Sequence, residues 1–242
     1  MRIGELEVGR LGFGAMRLCG PGIWGEPADP GNALRVLRRA VELGIALIDT
    51  SDAYGPEVNE RQIAEALHPY PEGLVIATKG GFLRPGPGRW SPDGRPEHLR
   101  EACEASLRRL RLERIDVYQL HTPDPAVPLA ESVGALKELR EEGKIRHGGL
   151  SNVSLAQLEE AERIVPIVSV QNRYNAADRE DEDVLEACEA RGIPFLPWAP
   201  LGSGSLDPGR ALPFLLERSP VILPIPGTSS VEHLEENVRA VI

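Results

Sequence analysis

The chain is poor in cysteine, aromatic residues, lysine and long apolar runs. Its three cysteines, Cys19, Cys103 and Cys188, are far apart and odd in number. That excludes a disulfide framework and a paired-cysteine zinc site, and it reads as reduced thiols in a cytoplasmic protein. Cys103 and Cys188 fall on helical patterns, as core filler. No apolar run approaches the ~20 residues that cross a bilayer, and Met1-Arg2-Ile3-Gly4-Glu5 lacks the apolar stretch of a signal peptide, so no membrane association is expected. Positive charge is short too. Against 37 Asp and Glu stand 27 Lys and Arg, a net charge of −10, which removes the basic face a nucleic-acid partner needs. His68, His98, His121, His147 and His233 form no ligand spacing, so no metal site is expected. Lysine occurs only at 79, 137 and 144, so a lysine at a strand end is less readily dismissed as surface decoration.

What is present is a strict alternation of short apolar and longer amphipathic segments. After an N-terminal hairpin within residues 2–9, strands are expected at 11–15, 46–48, 74–78, 115–120, 144–150, 167–170, 194–198 and 221–223. Helices are expected between and after them. In the third, Leu99, Ala102, Cys103, Ser106, Leu107 and Leu110 repeat at helical spacing. Ser154-Leu155-Ala156-Gln157 and Ser229-x-x-Glu232 read as capping boxes that open the fifth and eighth helices. Residues 80–94 read as a long loop, and Arg108-Arg109-Leu110-Arg111 as a solvated face. Eight β/α units of about 30 residues, with no linker break, predict one α/β domain over 1–242, a closed (β/α)8 TIM barrel. The doubly wound alternative needs a dinucleotide fingerprint after the first strand. Gly12-x-Gly14 with Arg17 at the third glycine position is a weak match.

In such a barrel every strand ends on the same rim, and that rim holds the site. Ile48-Asp49-Thr50-Ser51-Asp52-Ala53-Tyr54-Gly55 turns from buried strand to acid, phenol and glycine within a few residues. The next two strands end at Lys79 and His121. A tyrosine titrates near pH 10, about three units above neutrality. A lysine ammonium nearby lowers that value, an aspartate keeps the lysine charged and oriented, and a histidine orients a carbonyl oxygen. The set Tyr54, Lys79, Asp49 and His121 suits protonation of an oxygen gaining negative charge, that is, carbonyl reduction by hydride.

A hydride carrier has places to bind on the later loops. Ser151, Asn152 and Gln171 suit a carboxamide, and Trp198 can stack on a ring. Leu201-Gly202-Ser203-Gly204 can strap a pyrophosphate, and Pro226-Gly227-Thr228-Ser229-Ser230 leads into a helix N-terminus that favours anions. Trp24, Phe82 and Trp90 are candidates for an apolar substrate pocket. A Schiff-base aldolase using Lys79 and a cofactor-sensing protein without turnover are the competing readings.

Asp49-x4-Tyr54-Gly55, Thr78-Lys79-Gly80, Tyr118-Gln119-Leu120-His121, Gly149-Leu150-Ser151-Asn152, Val170-Gln171-Asn172, Ile225-Pro226-Gly227-Thr228 and Glu236-Asn237 together resemble the aldo-keto reductase family. The resemblance implies reduction of aldehydes or ketones with Tyr54 as general acid, tuned by Asp49 and Lys79, with His121 orienting the substrate carbonyl. It implies NADPH as cofactor. Gly227 and His233 stand where basic side chains often grip the 2′-phosphate, which leaves NADH open. Ser151, Asn152 and Gln171 would hold the carboxamide, and Trp198 takes the stacking place. Thr228, His233, Glu236 and Asn237 match the adenosine-phosphate end. The segment Gly20–Gly25 with Asp49-Thr50-Ser51-Asp52 is similar to bacterial members linked to pyridoxal reduction. Only residues 205–220 separate the strap from the last strand, fewer than is usual in that family. The expected partner is a small carbonyl substrate, and the expected state is a monomer.

Overall fold

A computed structural model describes residues 1–241. The chain opens with β1 (Arg2–Ile3) and β2 (Leu6–Glu7), an antiparallel hairpin in register Ile3↔Leu6. Ile3 and Val8 point into an apolar cluster with Leu47, Val117, Leu196 and Leu223 and close the floor of the barrel. The wall then builds strand by strand, starting with β3 (Phe13–Gly14), α1 (Pro30–Glu42), β4 (Leu47–Asp49), α2 (Val58–Leu67) and β5 (Val75–Gly80). An excursion, β6 (Phe82–Gly86) and β7 (Arg89–Pro92), precedes α3 (Pro96–Leu110). The wall resumes with β8 (Ile115–Leu120), α4 (Leu129–Glu141), β9 (Ile145–Ser151), α5 (Leu155–Glu162), β10 (Ile167–Gln171) and α6 (Glu182–Arg191), and the chain ends with α7 (Pro208–Arg218) and α8 (Val231–Arg239).

Six strands form a parallel sheet in the order β10-β9-β8-β5-β4-β3. The seventh and eighth walls, expected at 194–198 and 221–223, are isolated bridges rather than ladders: Val170↔Phe195, Arg173↔Trp198 and Phe195↔Ile222. Proline explains the difference. Pro194, Pro197, Pro224 and Pro226 have no N–H to give a ladder. Their carbonyls still accept, and the Gly12 N–H reaches Pro224 O at 2.9 Å and closes the barrel onto β3. Closure demands bare backbone there, since a Cβ on Gly227 would lie 2.4 Å from Gly14 O.

Local signals set the helices. Asp29 caps α1 by accepting from the Asn32 N–H at 2.9 Å, with Pro30 in the first turn. Val36, Leu37 and Ala40 form the buried stripe of α1, each larger side chain contributing about 1.5–3 kcal/mol by leaving water. The Ser154–Gln157 capping box forms in both directions. At α8 the cap is Ser230, not Ser229: its hydroxyl accepts from the His233 N–H at 3.2 Å.

Two further expectations are corrected. Residues 80–94 are not a loop, because Phe82 pairs with Pro92 and Gly86 with Arg89 in an antiparallel hairpin over the rim. Arg109 is not on a solvated face. It reaches inward to Glu60, with Nε 2.6 Å from Oε2, and Glu60 also accepts from the Thr78 hydroxyl at 2.6 Å. A fully buried glutamate needs such partners, and this pair locks α2 to α3 behind β5.

Candidate active site

Parallel pairing lays three strand ends side by side. Asp49 closes β4, Lys79 stands one residue before the end of β5, and His121 follows β8. The registers Asp49↔Ala77 and Lys79↔Gln119 bring them to one rim. Lys79 Nζ donates to Asp49 Oδ2 at 2.7 Å, to the Thr50 carbonyl at 2.8 Å and to the Tyr54 hydroxyl at 3.4 Å. The lysine side chain has no exposure and the aspartate 3%. Gln171 donates to the other Asp49 oxygen at 2.8 Å and to Gln119 Oε1 at 3.3 Å. The ion pair is therefore saturated with partners, as buried charge requires.

Burial works against the Lys79 ammonium, but Asp49 and the adjacent phenol more than offset it, and its pKa rises above the ordinary lysine value. At Tyr54 burial dominates and pushes the phenol up, while Lys79 pulls down. A net lowering, expected from the lysine alone, does not result, because desolvation is the larger effect. Tyr54 therefore keeps its proton at rest. Burial, then Lys79 and Arg84, hold His121 well below the usual imidazole value, so it is neutral at physiological pH. His121 Nδ1 lies 3.0 Å from Ser51 Oγ.

A cleft of about 750 Å³ opens from this cluster. Asp49, Tyr54 and His121 line one end with Phe82 and Trp90. Ser151, Asn152, Gln171, Trp198, Leu201 and Ser203 line the middle, and Gly227, Thr228, His233, Glu236 and Asn237 the far end beside α8. Three candidates sit elsewhere. Lys79 lies behind the wall, touching Asp49 and Tyr54, which both line the cleft. Gly202 does not line it and serves a tight turn at φ +55. Trp24 stands outside, bridged to Gly55 and 5.7 Å from the Arg84 guanidinium.

The aromatic wall is edge-to-face throughout: Phe82 lies 4.7 Å from the His121 ring and 5.4 Å from Trp90, and Tyr54 6.3 Å from Trp90. Arg84, overlooked by reading its hairpin as a loop, stacks 3.7 Å behind Trp90. It donates to the carbonyls of Ala53 at 2.5 Å and Gly22 at 3.1 Å. It thus fastens hairpin, tyrosine loop and Trp24 loop together. Arg17 also lines the cleft, with Gly14 and Met16. The Gly-x-Gly motif that precedes it pointed there, though as a rim residue of a barrel rather than part of a fingerprint. In the middle, the Trp198 indole N–H donates to Asn152 Oδ1 at 2.9 Å, and Asn152 Nδ2 donates to the His121 carbonyl at 2.9 Å.

Comparison with known proteins agrees with this geometry. The sequence pattern described as the Aldo/keto reductase family matches residues 10–211. An uncharacterized oxidoreductase of Schizosaccharomyces pombe is 49% identical over 257 aligned residues, covering 99% of this chain and 84% of that protein. Pyridoxine 4-dehydrogenase of Escherichia coli is 42% identical over 261, covering 98% and 91%. The structure of an aldo-keto reductase from Klebsiella pneumoniae in complex with NADPH superposes with a TM-score of 0.78 at 25% identity, covering 99% of this chain and 87% of that one. With the family pattern running over most of the chain and relatives at this identity along its whole length, the protein belongs to the aldo/keto reductase family of oxidoreductases.

Proposed function

We propose that the protein reduces aldehydes to alcohols with NADPH, and that flat aromatic aldehydes of the pyridoxal type are its substrates. The observation that carries this reading is the buried Asp49–Lys79–Tyr54 array, with Nζ 2.7 Å from the carboxylate and 3.4 Å from the phenol. A carbonyl oxygen placed between Tyr54 and His121 accepts a hydrogen bond from the phenol. As charge grows on that oxygen the phenol proton passes to it, and the phenolate left behind faces the Lys79 ammonium. No nucleophile is needed, which separates this array from an aldolase. Its lysine is held charged by Asp49 and is unsuited to attack.

The chemistry of the cleft lining supports a nicotinamide dinucleotide. The cleft runs from Tyr54 to α8. The Gln171 side-chain oxygen Oε1 makes no hydrogen bond among the described residues, and the Ser151 hydroxyl only accepts, from Asn152 at 3.1 Å, so an acceptor and a donor stay free for a carboxamide. When bound, NADPH supplies the hydride. Trp198 offers a ring face at that level, already oriented by its bond to Asn152. Arg17, the only arginine or lysine lining the cleft among the described residues, supports a phosphate-rich cofactor, and the NADPH complex of the Klebsiella relative supports the same choice. Phe82 and Trp90 beside His121 suit a flat ring, in keeping with the name of the Escherichia coli relative.

The test is NADPH oxidation, followed by absorbance, with pyridoxal and a panel of aliphatic and aromatic aldehydes, beside NADH. Turnover of pyridoxal, lost in Tyr54→Phe, is expected. Turnover of other aldehydes only would remove the substrate assignment, faster turnover with NADH would remove the cofactor choice, and tight cofactor binding without turnover of any aldehyde would favour a sensing role.

A further inference from the structure

Ser51 lies between the strand-end acid and the catalytic loop, and neither the ion pair nor the cleft wall uses it. Its side chain is fully buried. Its hydroxyl oxygen is 3.0 Å from His121 Nδ1, 3.0 Å from Asp52 Oδ1 and 3.3 Å from the Lys79 carbonyl, and it accepts from the Ala53 N–H at 3.1 Å. A hydroxyl has one proton and two lone pairs. The Ala53 N–H takes one lone pair and fixes the rotamer, and the more distant Lys79 carbonyl is already met by the Asp52 N–H at 3.3 Å, so His121 and Asp52 compete for the proton and the remaining lone pair. Nε2 of His121 makes no hydrogen bond among the described residues, and the ring lines the cleft.

We infer that Ser51 is a positioning residue that decides which nitrogen of His121 carries the proton, through a relay Asp52–Ser51–His121. This rests on the reductase reading above for its consequence, but not for its test. Two arrangements satisfy every group. In the first, Asp52 is a carboxylic acid and donates to Ser51, Ser51 donates to Nδ1, and Nε2 is the N–H that faces the cleft. A substrate carbonyl can then be held from two sides, by Tyr54 and His121. In the second, Asp52 is a carboxylate and takes the Ser51 proton. Nδ1 must then donate to Ser51, and Nε2 becomes an acceptor that repels a carbonyl oxygen.

The surroundings of Asp52 keep both arrangements within reach. Burial and the Glu60 carboxylate on α2 push its carboxyl up to about 7, while the Ser51 hydrogen bond and Arg109 on α3 oppose them. Tyr118 on β8 also faces it, a phenol kept neutral by its own burial. Around His121, Lys79 and Arg84 discourage a second ring proton, so the ring answers the relay by changing tautomer rather than by charging.

The test is nitrogen-15 NMR of the full-length protein labelled at histidine, with His121 assigned by substitution and read without cofactor near pH 6 and pH 8. Wild type is expected to be Nε2–H near pH 6 and to shift toward Nδ1–H near pH 8. Asp52→Asn, whose amide can always donate, should stay Nε2–H at both. Ser51→Ala should lose the response to pH, and Ser51→Thr should restore it. Between those two pH values kcat for aldehyde reduction is expected to fall by about tenfold in wild type, the change in protonated fraction for a group titrating near 7, and to stay level in Asp52→Asn. An Nδ1–H ring near pH 6, or a Ser51→Ala protein that titrates like wild type, overturns the relay. Because the tautomer is read in the free protein, absence of aldehyde turnover would sink the reductase reading and leave the relay standing.

Discussion

Lys79 and Asp49 form an ion pair at 2.7 Å, both side chains buried, and among the described residues the lysine has no second carboxylate to turn to. Removing one charge strands the other. Lys79→Met is expected to destabilise the fold by about 3–5 kcal/mol, the usual cost of breaking a buried pair. Asp49→Asn in the same chain should recover part of that loss. Urea unfolding of wild type, both single variants and the double variant measures the coupling. Additive losses, with the double variant as far below Lys79→Met as Asp49→Asn lies below wild type, would show that the pair is not coupled.

Tyr54 keeps its proton at rest and faces Lys79 at 3.4 Å. Tyr54→Phe keeps the ring against Trp90 and removes only the acid. Expected are roughly a hundred- to ten-thousand-fold loss in kcat, the range of general acid catalysis, unchanged circular dichroism and unchanged cofactor affinity. A variant with wild-type kcat would remove the phenol from the chemistry.

His121 and Asp52 tilt the stability curve in opposite directions. The folded imidazole is held well below 6.5, so between its folded pKa and 6.5 the unfolded chain binds the extra proton. Stability therefore falls as pH drops below 6.5. The Asp52 carboxyl is raised from 3.8 to about 7, so the folded chain holds the extra proton between those values, and stability falls as pH rises through that window and levels off above it. Asp52→Asn should therefore gain in melting temperature over wild type near pH 8 and show little gain near pH 4. His121→Asn should gain relative to wild type on the acid side of 6.5. Calorimetry across pH reads both, and a gain of the opposite pH dependence would contradict the burial of the group concerned.

Barrel closure gives a steric prediction. A Cβ on Gly227 meets the Gly14 carbonyl at 2.4 Å, backbone against backbone. Gly227→Ala should cost about 1–3 kcal/mol, as overpacking does, and should weaken cofactor binding, because both glycines line the cleft. Gly134, inside α4 with nothing within 4 Å of its added carbon, is the control. Gly134→Ala should stabilise by about 0.5–1 kcal/mol, the gain from replacing a helical glycine. Thermal melts of both variants decide whether closure or glycine content matters.

The sequence by itself determined the alternation of strands and helices, the barrel it implies, and the acid, lysine, tyrosine and histidine at three neighbouring strand ends. These follow from apolar periodicity and strand direction, which are local properties and survive in one dimension. The cap at Ser154 was legible for the same reason, since donor and acceptor are three residues apart. Only the tertiary structure decided the rest. Arg109 looks solvated within its own helix and turns inward because Glu60 of another helix waits there. The bare backbone where the barrel closes depends on Gly14 and Gly227, about 210 residues apart, and the place of Trp24 outside the cleft it was expected to line depends on its bridge to Gly55, about 30 residues on. The Tyr54 pKa moves opposite to what its lysine partner suggests, because desolvation comes from the whole surrounding wall and not from the neighbour a motif names. The place of Ser51 between two titratable groups likewise exists only once β8 has delivered His121 to its side.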